Sequence, residues 1–216
     1  MKENLSNIYE YHHTHRRPKN FSLFEKERWV IISGLVDGKE GLEILDIGCR
    51  DGNLTKYFDP QKNHVLGIDI DRLAMAEAEK LGIKTNFEDL NGERDFLHDK
   101  KFDIVWAFEI VEHLYYPDVV VEKAHKALKP HGIFVWSVPN GFSLPNRVRL
   151  FMGKKRGTSL MDPTHINHFT YDELYHTLSK HFRKVTIYGL VAPQWMPLAK
   201  RFPSLFSFMF ARKCEK

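Results

Sequence analysis

The chain has 216 residues, 43% of them hydrophobic, enough for one sizeable core with little left for a second. Its 32 Lys and Arg stand against 28 Asp and Glu, and the resulting +4 is too small to imply nucleic-acid binding by itself. Cys49 and Cys214 form no disulfide framework, no apolar run reaches membrane-spanning length, and the polar start MKENLSNIYEYHHTHRRPKN does not read as a signal peptide, so a cytoplasmic location is expected.

The first segment, YHHTHRRP, gathers His12, His13 and His15, which admits a metal reading, although short histidine tracts at a terminus are more often mobile polar arms. FSLFEKERWVIISGLVDG follows, with Phe21, Phe24, Ile31 and Leu35 spaced for a packing helix that the next glycines end. Leu42 to Gly52, LEILDIGCRDG, then reads as a strand and a tight glycine turn, with NLTKYF opening a helix. Such a turn lets backbone N–H groups approach a ligand closely. A dinucleotide site would want G-x-G-x-x-G here, whereas this chain has G-x-x-x-G and puts Asp46 at the strand tip. That carboxylate would repel a diphosphate and suits a ligand bearing an ammonium group.

HVLGIDID is a second strand ending in Asp69, about 20 residues beyond the turn, where a doubly wound fold holds ribose hydroxyls. Asp71 is expected to cap the helix RLAMAEAEKLG, whose Leu73, Ala74, Ala78 and Leu81 fall near one face. IKTNFEDL predicts a third strand ending in Glu88, Asp89 and Leu90, and FDIVWAFE a fourth. VVVEKAHKALKPHG predicts an amphipathic helix with Val120, Val121, Ala124 and Leu128 inward and a Pro-x-Gly stop, before GIFVWSVPN as a fifth strand. YDELYHTLSKHF reads as a helix with Thr170 as N-cap and Glu173 completing a capping box; KVTIYGL and FSFMFARK read as closing strands, the latter with Phe206, Phe208 and Phe210 alternating. Strands separated by helices argue for an α/β fold with a mostly parallel sheet wound on both faces.

Taken in order, DIGCRDG, GIDID, FEDL, FDIVWAFEIVEHL and ALKPHGIFVWSVPN resemble the class I S-adenosylmethionine-dependent methyltransferases, over nearly everything from Leu42 to Lys213. The nearest likeness is to the branch of ubiquinone-biosynthesis O-methyltransferases and MetW-like proteins. Arg50 and His131 depart from it, because that family commonly has glycine at both positions. The resemblance implies a Rossmann-like seven-stranded sheet with an antiparallel C-terminal strand, S-adenosylmethionine as cofactor and S-adenosylhomocysteine as product. It implies Asp46 toward the ammonium group, the turn of Gly48, Cys49 and Gly52 toward the methionine carboxylate, Asp69 on the ribose and Asp89 on the adenine amino group. Ile70, Leu90 and Glu109 complete the expected cofactor set, and Arg16 or Arg17 of an arm closing over the cofactor could reach the methionine carboxylate. One domain is expected, with an arm and helix over 1–38, a cofactor core over 42–138, a substrate-side insertion over 139–169 and closing elements over 170–216.

FEIVEHLYYPD carries Glu109, Glu112 and His113 off the fourth strand's tip, near the switch point where ligands bind in such sheets. His113 is a candidate general base. Alternatively, Glu109, Glu112 and His113 join His165 of DPTHINHF around a divalent cation, as in metal-assisted members of the superfamily. A third reading has Glu112 and His113 merely bonding the loop and capping the next helix. His168 has an equally plain role as an anchor for the helix beginning near Thr170.

The insertion NGFSLPNRVRLFMGKKRGTSLM mixes Arg147, Arg149, Lys154, Lys155 and Arg156 with Val148, Leu150, Phe151 and Met152. In this fold it roofs the substrate pocket. It could contact an anionic membrane through residues 146–156, grip an anionic substrate, or be a solvated lid. The expected activity is methyl transfer to a small molecule, most readily at oxygen. The alternatives are a 2′-O-methyltransferase of RNA ends and a non-catalytic, cofactor-sensing partner protein of MetW type.

Overall fold

The computed structural model describes residues 24–92, 100–156, 158–162, 164–191, 193–207 and 209–216. The arm with His12, His13, His15, Arg16 and Arg17 lies outside them, as do Phe21 and Phe208. The chain divides between Trp106 and Ala107 into two compact units.

In the first unit, helix α1 (Glu25–Val36) turns Arg28, Ile32 and Leu35 inward. Ile31 stays half-buried, one position off the buried stripe. Strands β1 (Glu43–Ile47), β2 (His64–Asp69) and β3 (Lys84–Phe87) are parallel, with Glu43↔His64 to Ile47↔Ile68 and Leu66↔Lys84 to Asp69↔Phe87 in register. Strand β4 (Phe102–Phe108) lies parallel on the other side of β1, with Asp46 opposite Trp106. Near-continuous burial along β1 and β4 is the mark of strands covered on both faces. Trp106 meets Phe58 edge-to-face at 5.4 Å between ring centres.

Two local expectations change here. NLTKYF forms only a 3₁₀ turn over Thr55–Phe58, which Asp59 closes in a left-handed conformation, φ 53°. Helix α2 (Arg72–Lys80) has Asp71 as its N-cap, accepting the Ala74 N–H, but buries Ala74, Met75 and Ala78, while Leu73 and Leu81 are exposed.

In the second unit, α3 (Pro117–Ala127) buries Val120, Val121, Ala124 and Ala127, and β5 (Leu128–Pro139) begins at the next residue. The expected Pro-x-Gly stop thus falls inside the strand, and Leu128 belongs to it. His131 takes φ 64°, the left-handed region glycine prefers, which accounts for glycine being usual there in the family. Helix α4 (Leu144–Phe151) lies in the insertion, and α5 (Tyr171–Ser179) carries the expected Thr170–Glu173 capping box. Strand β6 (Lys184–Leu190), two short helices α6 (Met196–Arg201) and α7 (Pro203–Phe206), and β7 (Met209–Glu215) complete the unit. The closing strand therefore starts at Met209, and Phe206 ends α7 instead of alternating along a strand.

Strand β7 runs antiparallel to both β5 and β6. The strand order is β3-β2-β1-β4-β5-β7-β6, a mostly parallel α/β sheet of seven strands with the expected antiparallel strand. Among the described residues, no helix is long and apolar enough to cross a membrane.

Candidate functional site

The first unit supplies a glycine turn and acidic strand tips. Gly48 and Gly52 have φ of 80° and 71°, and Arg50 between them has φ 49°, so its backbone accepts the left-handed turn despite its side chain. The turn is bonded into the protein: Gly48 and Cys49 N–H donate to the Ile68 carbonyl, Arg50 N–H to Asp69 Oδ2 at 2.9 Å, and Gly52 N–H to the Cys49 carbonyl. Amides that the sequence suggested for a ligand carboxylate are already engaged. Cys49 is buried against β2, where a Cβ on Gly67 would stand 2.5 Å from its sulfur, so its side chain faces protein. Gly52 is a packing glycine as well, since a Cβ there would come within 2.6 Å of Ile83 and 3.0 Å of Ala78.

Asp46 is buried and accepts a 2.5 Å hydrogen bond from Thr55 Oγ1. Burial raises its pKa to about 7, against the opposing Thr55 bond and with a further push from the Asp69 charge. Asp69 spans two segments: Oδ2 accepts the Arg50 amide and Oδ1 the Asp71 amide, each at 2.9 Å. Its pKa is also raised, chiefly by burial, which outweighs those bonds. Its carbonyl accepts the Glu88 N–H, tying β3's end to the same point. Beyond it, Asp89 accepts the Asn91 amide in an Asx turn, and Ile70 and Leu90 are half-buried at the tips of β2 and β3.

The second unit holds the histidine cluster. Glu109 follows β4 with φ 53°; its N–H donates to the Ser137 carbonyl and its Oε1 accepts the Ser137 hydroxyl at 2.9 Å. A 3₁₀ turn over Val111–His113 then buries Glu112 and His113, 1% and 7% exposed. The carbonyl of Glu112 accepts the N–H groups of Ile166 and Asn167, while Asn167 Nδ2 donates to the Leu114 carbonyl. These bonds bring the 162–167 segment onto the turn, with His165 beside His113 at 4.8 Å between ring centres. Glu112 Oε1 lies 3.9 Å from His113 Nε2 and 4.0 Å from His165 Nε2, and one ligand atom from each residue lies within 4.8 Å of the others. Three of the four residues suggested for a cation therefore come together, while Glu109 is held by Ser137 instead.

His113 Nδ1 is 2.9 Å from the Thr164 carbonyl, which can only accept, so Nδ1 carries a proton and the neutral ring keeps its lone pair on Nε2. That is the tautomer a general base needs, and equally the tautomer of a metal-bound histidine oriented by a carbonyl. Two imidazoles and one carboxylate fit a divalent transition metal or zinc better than an all-oxygen ion. Neither Glu112 nor His113 caps the next helix: α3 begins after Tyr116 with no side-chain cap. His168 stands apart from the cluster, its pKa lowered by burial.

Sequence reasoning missed the supporting residues Thr55, Ser137, Asp162, Thr164 and Asn167. Only Asp162 had a local signal: in Asp-Pro-Thr its Oδ1 accepts both the amide and the hydroxyl of Thr164, an Asx turn.

A mostly parallel sheet with a glycine turn after β1 and acidic residues at successive strand tips defines the class I S-adenosylmethionine-dependent methyltransferase fold. A family model described as a methyltransferase domain matches residues 45–134. Among curated relatives, the ubiquinone biosynthesis O-methyltransferase of Actinobacillus pleuropneumoniae is 28% identical over 131 residues, covering 56% of each protein. That of Hydrogenovibrio crunogenus is 33% identical over 106 residues, covering 47% of this chain and 44% of the relative. The chain thus spans about half the length of the curated relatives it matches. Among solved structures, the magnesium protoporphyrin IX methyltransferase of Synechocystis PCC 6803, with bound S-adenosylhomocysteine, superposes with a TM-score of 0.69 at 13% identity over 100% of both chains. A SAM-dependent methyltransferase from Archaeoglobus fulgidus gives 0.66 at 18% identity, over 97% of this chain and 99% of that one.

Proposed function

We propose that this protein binds S-adenosylmethionine through its first unit and transfers the methyl group to an oxygen of a small-molecule acceptor. The observation that carries this reading is a pair of carboxylates, buried Asp46 and half-buried Asp69, at the ends of adjacent parallel strands, both with raised pKa values. Neighbouring carboxylates shielded from water are costly to ionise together unless partners compensate them. A cationic amine on Asp46 and a ribose diol on Asp69 would do so, with Asp89 accepting from the adenine amino group and Ile70 and Leu90 flanking the base. A pyrophosphate would add further negative charge, which favours this cofactor over a dinucleotide.

Oxygen as the acceptor atom is supported by His113, whose ring, when neutral with Nδ1 donating to the Thr164 carbonyl, would offer an Nε2 lone pair to a hydroxyl proton as the methyl moves. The names of the curated relatives point the same way. Because transfer needs sulfonium, methyl and nucleophile in line, much of the rate can come from orientation alone.

The compact Glu112, His113 and His165 trio supports a second reading of the same cluster, in which these residues hold a divalent cation. Such an ion, when bound, would polarise an acceptor oxygen and lower its pKa. Labelled S-adenosylmethionine offered with phenols, carboxylates and small RNAs, with added metal and with a chelator, tests both. Transfer to a phenol that survives chelation supports His113 as base, and transfer lost to chelator and restored by zinc, manganese or magnesium supports the metal reading. Labelling of RNA alone, or of no acceptor, refutes the proposal.

A further inference from the structure

The turn that carries His113 is braced by a second turn. Asp162, Thr164 and His165 belong to the segment that the Glu112 carbonyl holds through the amides of Ile166 and Asn167. Within it, Asp162 Oδ1 accepts the Thr164 amide at 3.0 Å and the Thr164 hydroxyl at 2.6 Å. Two donors of one residue on one oxygen fix the direction of that residue's backbone. The Thr164 carbonyl is thereby aimed at His113 Nδ1, 2.9 Å away. The Asp162 carbonyl also accepts the His165 amide at 3.3 Å, and Asp162 Oδ2 stands 3.9 Å from His165 Nε2.

Which nitrogen of a neutral imidazole carries the proton is set by what each one faces. His113 stands between two acceptors: the Thr164 carbonyl at Nδ1, and Glu112 Oε1 at 3.9 Å from Nε2. If the carbonyl turned away, the carboxylate would draw the proton to Nε2 and leave no lone pair there. Thr164 lies in neither a helix nor a strand, so no ladder of backbone bonds fixes its carbonyl. The Asp162 side chain supplies that restraint.

We propose that Asp162 is a positioning residue: by holding the Thr164 carbonyl on Nδ1, it keeps the Nε2 lone pair of His113 available to an acceptor hydroxyl. This rests on the reading of His113 as general base. Asp162 acts through the oxygen that binds Thr164 and not through its charge beside His165, so an amide oxygen should serve in its place. Loss of a group that orients a functional histidine typically lowers activity about 10- to 100-fold.

NMR of the imidazole nitrogens tests the tautomer without acceptor or cofactor, in chelator and in alkaline buffer where the ring is neutral. The His113 signals are assigned by their loss in His113→Ala. Wild type and Asp162→Asn should carry the proton on Nδ1, and Asp162→Ala should shift population toward Nε2. Turnover should fall about 10- to 100-fold in Asp162→Ala and recover in Asp162→Asn, with S-adenosylhomocysteine affinity unchanged in both. Should Asp162→Ala fail to fold, Thr164→Ala, which removes one of the two bonds, must move the tautomer in the same direction. An Nε2 proton in the wild type, a wild-type tautomer in the alanine variant that folds, or an Asp162→Asn protein as impaired as Asp162→Ala overturns the inference. Full turnover in His113→Ala would instead refute the base reading, and the tautomer spectra would still decide what Asp162 does.

Discussion

If Asp46 pairs with the cofactor's ammonium group as proposed, binding is linked to its proton. Its carboxyl has a pKa of about 7 in the free protein, so near neutral pH only about half of the molecules carry the charge that an ammonium group would pair with. Below pH 7 the ligand must first drive off a proton, and apparent affinity should fall about tenfold per pH unit. Between pH 8 and pH 5 S-adenosylhomocysteine should therefore weaken about 100-fold, or about 2.7 kcal/mol. At pH 7 binding should release about half a proton, seen in calorimetry as an observed enthalpy that changes with the buffer's ionisation heat. The same carboxyl also links folding to pH. The folded carboxyl holds its proton more tightly than the unfolded one, so this group favours folding most in acid. That contribution is lost as pH rises from about 4 through about 7, and above that the full cost of a buried charge stands. In the unliganded protein Asp46→Asn should thus be more stable than wild type at pH 8 but not at pH 4, and its residual cofactor affinity should no longer depend on pH. A wild-type affinity that is flat from pH 5 to pH 8, with no proton release, would refute the reasoning.

Other outcomes follow from the same geometry. Gly67→Ala would drive a methyl group to 2.5 Å from Cys49 Sγ and 2.8 Å from its Cβ, and should cost about 1–3 kcal/mol in denaturant unfolding; adding Cys49→Ala should restore only part, because its Cβ remains. Asp69→Ala should weaken S-adenosylhomocysteine by about 1.5–3 kcal/mol in calorimetry, and unchanged affinity would remove Asp69 from the site. If His113 acts as base at Nε2, His113→Ala should lower turnover by about 10²- to 10⁴-fold while cofactor affinity holds. Equal losses of turnover and thermal stability would instead mark it as a packing residue.

Much of the first unit was legible because β1 and β2 are short apolar runs with an acid at or beside the tip, and because Gly48 and Gly52 mark where the chain must turn left-handed. The errors have physical causes. A single 3₁₀ turn formed at Thr55–Phe58 because Asp59 closes the helix after four residues, and Pro60 follows it. Phe206, Phe208 and Phe210 have the period of a strand, yet Pro197 and Pro203 each sit in the first turn of a short helix, the signal that could have revealed α6 and α7. Leu73 and Leu81 looked like core residues, but α2 buries the small Ala74 and Ala78, and it is Gly52 that lets the chain pass close to Ala78. In the candidate site the acids and histidines could be named one by one. One reading also set His165 beside Glu109, Glu112 and His113; the contacts that bring three of these together run through backbone carbonyls at Glu112, Leu114 and Thr164, which carry no side-chain signature, and nothing local showed that Ser137 would hold Glu109.

Asp69 splices three stretches of chain: its carboxylate accepts amides from the glycine turn and from the start of α2, and its carbonyl accepts the amide that follows β3. An asparagine there would have one side-chain oxygen for two amides, so its NH₂ would face a donor and one of the two segments would be released. If the ribose is drawn to this carboxylate as proposed, cofactor occupancy and local opening of the turn become competing states of a single residue. The amides of Arg50 and Asp71 should then exchange with solvent as a pair, slowing together as cofactor is added, and the buried thiol of Cys49 should become reactive only in the opened state. Methyl-donor supply would in this way set the lifetime of the fold's first turn as well as the rate of the reaction.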